Sequence, residues 1–545
     1  MVSSGPVSPV RLSLRYAAVP FLIYIVHALL FGGWIVDDAG VSFVYARNLA
    51  LGHGLVSQPG LPPVEGYSNF LWVLLMALSF ALRLFDPVLT PKLLAAALTG
   101  GFFLTLAGAL RRLDPAGGAI AFVALLLTAA NTSFAVWTVS GLENSLYVFL
   151  IGLLFALLVR ERTGGPRPWL PAAAGAVAAG IALTRPDGVL YAALYPLLTW
   201  AAEGRPPRIG AAGGRTVRFA AVFLALFGAF LAFRLACFGE LHPNTYYAKS
   251  APMGALLRAL LTLEPALWSR VREPLESAAG EAGAPLAFLL AAGAAFLAVR
   301  RRLRWVHAAL WSFAGCAALV YILLPGDWMR EYRFATPFYP FFYAGACLLA
   351  VSLARELIPL PGRRKLAGAV AAAAALGLAL TMFVPRSRTY AADPALPFAL
   401  VQEKNGRRFN RFAGALALRE GSFLVPDVGG ALWSSRLRIY DLGGLTDRTV
   451  ARTLKKEPDA FREYVFGETR PTFILAHGPW AAAAALNRDP RFRRDYVPLY
   501  LEGDPAGNTI TVGPGRQAGV FVRKDAVAGR DAAVAAIRAE LAAGY

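Results

Sequence analysis

The chain has 545 residues, of which 57% are hydrophobic and 16% charged, with a mean hydropathy of +0.50 and a net charge of +20. Soluble globular chains run at about 45–50% apolar and about 25% charged, so this composition excludes a soluble enzyme, a disordered chain and a fibrous one. It leaves a polytopic membrane protein, in which apolar runs near 20 residues each cross a hydrocarbon core of about 30 Å.

The apolar segments, in chain order, are 16–35, 93–110, 118–134, 143–159, 169–184, 188–202, 219–236, 279–299, 305–325, 335–354 and 366–384. The first is too long for a cleavable signal, and no small-residue cleavage site follows it. Six short loops beside these segments carry the charge: Arg11 and Arg15; Arg111 and Arg112; Arg160, Arg162 and Arg167; Arg205, Arg208, Arg215 and Arg218; Arg300, Arg301, Arg302 and Arg304; Arg355, Arg363, Arg364 and Lys365. Together they hold 19 basic residues against Asp114, Glu161, Glu203 and Glu356, a net +15 of the +20. Short basic loops flanking apolar segments mark the cytoplasmic side, which excludes a nucleic-acid surface as the reason for the charge. Eleven spans that start inside finish outside, so residues 1–384 form a membrane domain and 385–545 an extracytoplasmic one.

The segment 69–85 (NFLWVLLMALSFALRLF) is apolar enough to span, but a span there would turn every later basic loop outward. It is therefore read as an interfacial helix, with Asn69, Trp72 and Arg83 suited to an interface. The outside loops are then 36–92, 135–142, 185–187, 237–278 and 326–334. They hold most of the acidic, amide and aromatic clusters outside the tail, as expected of one active face. The tail alternates β-rich runs (Ser422–Pro426, Leu437–Tyr440, Thr472–Ala476, Val497–Leu501, Thr509–Val512, Val520–Val522) with helical patterns, including 396–419 and 525–542. That is an α/β domain of ordinary size. Cys237, Cys316 and Cys347 all lie in apolar stretches and exclude a disulfide framework.

The loop 36–92 opens on two adjacent carboxylates, Asp37 and Asp38, directly after the first span. Acids at a membrane edge are costly and point to function, with one acting as general base while the other orients substrate or metal. Asp is also a good helix N-cap. The sequence does not separate the two. This stretch, DDAGVSFVYARNLALGHGLVSQPGLPPVEGYSNFLW, resembles the first extracytoplasmic loop of a bacterial GT-C membrane glycosyltransferase family. The nearest characterised members are the terminal β-(1→2)-arabinofuranosyltransferases of mycobacterial arabinan. Lipid A aminoarabinose transferase and the protein O-mannosyltransferases are more distant. The departures are Gly40 for a bulky residue, Val44 for an Arg, and Leu61–Pro62–Pro63 for a Glu-containing turn.

Further pieces resemble the family in the same order: Trp137–Asn144 (WATSGLET), Thr184–Gly188 (TRPEG), Phe238–Lys249 (FGxxxPNTYYAK), Gly326–Phe334 (GGDWMxxYRF), Asp427–Gly430 (DIGxxG) and Asp441–Asp447 (DLxGLTD). The resemblance implies a GT-C fold with juxtamembrane helices, in the cytoplasmic (inner) membrane. It implies transfer of a sugar, arabinofuranose in the nearest family, from a polyprenyl-phosphate donor to an envelope glycan or glycolipid. It gives Asp37 or Asp38 as base and Glu143 as a second carboxylate. Lys249, Arg333, Arg185 and Arg234 are candidates for the donor phosphate, and Asn244, Tyr246, Tyr247, Asp327 and Trp328 for donor contacts. By analogy with the aminoarabinose transferase, Glu65 and His242 are candidates for a divalent metal. Two alternatives stand beside the enzyme: a non-catalytic scaffold related to flagellar motor control proteins, and a lipid or sugar transporter. Against the transporter, the acids cluster at helix ends and no internal repeat is evident.

Overall fold

A computed structural model describes residues 9–165, 167–203, 209–249, 284–324, 327–502 and 518–544. Gly326, the loop 250–278, the start of the segment 279–299 and the expected strand Thr509–Val512 lie outside the described residues. So do Arg205 and Arg208.

Helices stand at each expected span. In chain order they are α1 (Pro9–Leu29), α2 (Asp37–Ala50), α3 (Phe70–Ala81), α4 (Leu89–Leu113), α5 (Gly117–Ala130), α6 (Thr132–Thr138), α7 (Asn144–Gly164), α8 (Trp169–Thr184), α9 (Val189–Ala192), α10 (Leu194–Ala201), α11 (Ile209–Phe238), α12 (Asn244–Lys249), α13 (Ala284–Val299), α14 (Trp305–Leu323), α15 (Phe338–Leu357) and α16 (Pro361–Ala392). Among the described residues six helices are long and apolar enough to cross a membrane, or seven if the bent pair α5–α6 is one span. The protein is a multi-pass membrane protein with a C-terminal domain.

Three elements differ from the sequence reading. The expected segment 188–202 is two short helices, α9 and α10, parted at Ala193. The expected segment 118–134 breaks at Asn131, where α5 and α6 meet at 72°. Asn131 adopts an extended conformation, and its side-chain oxygen caps the Phe134 N–H at 2.9 Å, so α6 starts anew. The last membrane helix also runs past the expected boundary at 385, through Pro385 to Ala392. Tertiary contacts hold the extension: Ser387 bonds His27 and Thr132, and Tyr390 packs edge-on against Phe31 and Trp34.

Helix α3 has 12 residues. At 1.5 Å per residue it is about 18 Å long, too short to cross about 30 Å of hydrocarbon. It packs on α2 and α8 and brings Asn69 to the candidate site.

The basic loops meet at one end of the bundle. Asp114, after α4, pairs with Arg304 before α14 and bidentately with Arg355 at the end of α15. Arg215 pairs with Glu161 and Glu203, joining the loop ends of α7, α10 and α11. The loops at the opposite helix ends carry the candidate site.

Among the described residues the C-terminal domain has five strands: β1 (Ser422–Val425), β2 (Arg438–Asp441), β3 (Phe473–Ala476), β4 (Tyr496–Leu501) and β5 (Gly519–Arg523). The sheet order is β2-β1-β3-β5-β4, with β2, β1 and β3 parallel and β5 antiparallel to both β3 and β4. Strand alternation sorts the core. Phe423 and Val425 face the layer of Phe409, Phe412, Ile537 and Leu541, while Leu424 and Ile474 face that of Val450, Phe461 and Ala481. The C-terminal ends of the three parallel strands point at the start of α2, where the domain meets the membrane bundle.

Candidate active site

The two neighbouring acids have different fates. The Asp37 carboxylate is buried and accepts the backbone N–H groups of Gly429 (3.0 Å) and Gly430 (2.7 Å), while its own N–H donates to the Leu396 carbonyl. Burial pushes the Asp37 carboxyl well above the usual aspartate range against the pull of the Gly430 N–H, and the charges of Asp427 and Asp38 add to the push. Asp37 thus fastens the C-terminal domain to α2. The Asp38 side chain is 24% exposed, with Arg333 Nη1 at 3.5 Å and Lys249 Nζ at 3.8 Å.

Glycine at position 40 follows from this docking. A Cβ there would lie 2.6 Å from the Phe398 ring and 2.8 Å from the Gly429 backbone. A Cβ on Gly429 would lie 1.9 Å from the Asp37 carbonyl oxygen. The two glycines let the tail's first parallel strand deliver its loop directly onto α2.

Arg333 is held from every side. Its Nε meets Asp327 at 2.9 Å, and the guanidiniums of Arg333 and Arg185 each lie 4.7 Å from the Phe334 ring centroid. Arg185 pairs with Glu143 at 3.0 Å and with Asp187 at 3.1 Å. Glu143 accepts from Asn69 (2.9 Å), which accepts from Ser42 (3.1 Å). Ser42 lies one turn after Asp38 on α2, so this path begins and ends on one helix. The backbone before Arg333 is left-handed at Glu331 (φ 67°) and Tyr332 (φ 45°), uncommon for such residues. Trp137 donates to the Glu331 carbonyl, Arg386 pairs with the Glu331 carboxylate, and Asn144 donates to the Arg333 carbonyl.

The remaining candidates divide. Glu143 and Arg185 neutralise each other beneath the site. Glu65 and Arg234 form a buried pair, with Arg234 Nε 2.8 Å from one Glu65 oxygen and Nη2 3.1 Å from the other. Burial nevertheless pushes Glu65 up to about 7. With both oxygens on a guanidinium, Glu65 does not fit the metal-ligand role that the resemblance implied. His242 stands exposed against the Tyr246 ring, and no group of three or more His, Cys, Asp or Glu able to hold a metal occurs among the described residues. Arg234, a phosphate candidate, is paired with Glu65. Asn244 donates to the carbonyls of Gly444, Leu445 and Asp447, which makes it a strut to the C-terminal domain. Tyr247 donates to Glu240 under Arg452. Asp327 serves Arg333, and Trp328 is exposed on the rim.

In the tail, Asp441 is buried and takes the Thr446 and Gly444 N–H groups and the Thr446 hydroxyl, so it shapes its own turn. Burial pushes it up to about 7. Asp427 is half-buried and lies 2.8 Å from His477 Nε2. Sequence reasoning did not single out His477 or Phe334. The available signals were a histidine ending a β-rich run, and an aromatic following an arginine in the Tyr332–Phe334 motif.

A helical membrane bundle with short juxtamembrane helices and a C-terminal α/β domain is the GT-C architecture. No protein-family model matches the chain, and no curated protein matches it in sequence. Solved structures do match in fold. The oligosaccharyltransferase AglB of Archaeoglobus fulgidus, in complex with an inhibitory peptide and a dolichol-phosphate, is 12% identical with a TM-score of 0.56, over 92% of this chain and 74% of that one. The A. fulgidus oligosaccharyltransferase with zinc and sulfate is 13% identical with a TM-score of 0.57, over 89% and 71%. ArnT of Cupriavidus metallidurans in the apo state is 12% identical with a TM-score of 0.52, over 94% and 97%.

Proposed function

We propose that the protein is a GT-C glycosyltransferase that moves a sugar from a polyprenyl phosphate to an acceptor hydroxyl outside the cytoplasmic membrane, with Asp38 as general base. The observation that carries this reading is the partly exposed Asp38 within ion-pair distance of both Arg333 and Lys249. A partly exposed carboxylate at 3.5 and 3.8 Å from two cations can exchange partners. A donor phosphate draws Arg333 and Lys249 toward itself and leaves Asp38 for the acceptor proton.

In the reaction the acceptor O–H gives its proton to Asp38 as its oxygen attacks the anomeric carbon. The bond from that carbon to the phosphate oxygen breaks on the opposite face, so the centre inverts. The lipid phosphate leaves as a monoester, with its growing charge facing Arg333 and Lys249. The step is drawn on this chain's own residues, with Glu65 paired to Arg234.

The basic loops at the far end of the bundle support an outward site and an outward C-terminal domain. The sugar is proposed as arabinofuranose and the acceptor as a cell-envelope glycan or glycolipid, on the loop motifs between Asp37 and Trp72. The dolichol-phosphate bound by the AglB complex fits a lipid-phosphate donor. The test is transfer of radiolabelled sugar from a polyprenyl-phosphate donor by the purified protein. Transfer by the native chain and its loss in Asp38→Asn support the reading; full transfer by a correctly inserted Asp38→Asn variant ends it.

A further inference from the structure

The donor candidates all lie on the membrane bundle, and their charges suit a phosphate. The C-terminal domain brings different chemistry to the same place. Its three parallel strands end side by side, and in open α/β sheets ligands bind outside the carboxyl ends of the strands. Asp427 follows β1, His477 follows β3, and Gly443 follows β2. His477 Nε2 and Asp427 Oδ2 are 2.8 Å apart, with side chains 34% and 21% exposed. Trp480, one turn beyond His477 and partly buried, sits across Gly443, where a Cβ would lie 3.6 Å from the indole.

The pair stands out among the acids of this domain. Asp441 is saturated by its own turn, Asp447 by Val450 N–H and Tyr464, and Asp489 by Arg491. Asp427 instead meets a histidine at an accessible edge. The edge is next to the base: Gly429 and Gly430, two and three residues after Asp427, bind Asp37 beside Asp38. With Nε2 engaged by Asp427, Nδ1 of His477 is left to hydrogen-bond a hydroxyl, which can both donate and accept. A partly buried indole at the same sheet edge as a His–Asp pair suits a saccharide, whose ring has an apolar face and a polar rim.

We propose that His477, oriented by Asp427, and Trp480 form the acceptor subsite, binding an uncharged sugar of the acceptor glycan so that its hydroxyl reaches Asp38. This rests on the glycosyltransferase reading and assigns the acceptor's chemical class to a face of the C-terminal domain. Asp427 is a positioning residue; His477 and Trp480 touch the acceptor.

The test uses the full chain in nanodiscs, with methyl α-D-arabinofuranoside and methyl α-D-mannopyranoside as sugar probes in saturation-transfer NMR and undecaprenyl phosphate as the lipid probe. The expected result is binding of at least one glycoside, weakened roughly tenfold or more by His477→Gln and by Trp480→Leu, with undecaprenyl phosphate still bound by both variants. Retained lipid binding certifies the fold; if His477→Gln loses it, Trp480→Leu decides. Glycoside binding that survives the substitutions overturns the subsite. So does binding of neither glycoside while undecaprenyl phosphate binds the native chain, and that outcome leaves the glycosyltransferase reading in place. A native chain that binds no undecaprenyl phosphate overturns both.

Discussion

The two ends of the helical bundle use the same side chains to opposite effect. At the basic end, Asp114 is buried (2% side-chain exposure) and engaged by Arg304 and Arg355 together. Burial alone would push its carboxyl up, but the hydrogen bonds from Arg355 and Arg304 outweigh it and hold the group well below the ordinary range. At the other end Asp38 also faces two cations, yet at 3.5 and 3.8 Å and with a quarter of its side chain exposed. A saturated acid locks loops together, whereas a loosely held one can change partners. The contrast repeats within one dipeptide, where Asp37 is the lock and Asp38 the more loosely paired acid.

Substitutions at the two ends break or sharpen this contrast. The largest effect belongs to Asp38→Asn, which is expected to lower turnover by about 10²–10⁴-fold while lipid-phosphate binding persists. Arg333→Ala is expected to lower it by about 10²–10³-fold, with partial recovery in Arg333→Lys because lysine keeps the charge but not the fork. Arg234→Met leaves Glu65 buried without its partner and is expected to cost about 3–5 kcal/mol of stability, read in thermal unfolding, with no rescue by added zinc.

A smaller effect is a pH slope. Glu65 sits near 7 in the folded chain against 4.5 for the free group, so the folded state holds its proton more tightly. Stability from this group is present below pH 4.5 and declines as pH rises to about 7; Glu65→Gln removes that slope. Asp114 runs the other way. Its depressed folded value stabilises above about 3.8 and the contribution is lost as pH falls. Asp114→Asn should flatten the acid limb of stability and leave turnover unchanged.

Much of this was legible in the sequence because membranes impose strong rules. Apolar runs gave the helix positions, though only six or seven of the described helices are long and apolar enough to span, and β-rich runs gave the five described strands. The short α3 followed from keeping the basic loops together. What sequence could not resolve were choices made by tertiary contact. Asp37 and Asp38 are equivalent on paper and become distinct only when Gly429 and Gly430 dock on one of them. Glu65 looked like a ligand until Arg234, 169 residues away, occupied both its oxygens. The break at Asn131 depends on a cap that any asparagine in an apolar run could make, and the extension to Ala392 depends on Ser387 finding His27. Gly40, a departure from the family pattern, is explained by the approach of Gly429.

The most direct measurement is a structure of the protein with a non-transferable polyprenyl-phosphonate sugar. The account predicts the phosphonate within ion-pair distance of Arg333 and Lys249, with Asp38 facing the anomeric carbon from the opposite side. A phosphonate seated on Arg185 or Arg234, or an anomeric carbon facing Asp37 or Glu143 instead, would contradict it.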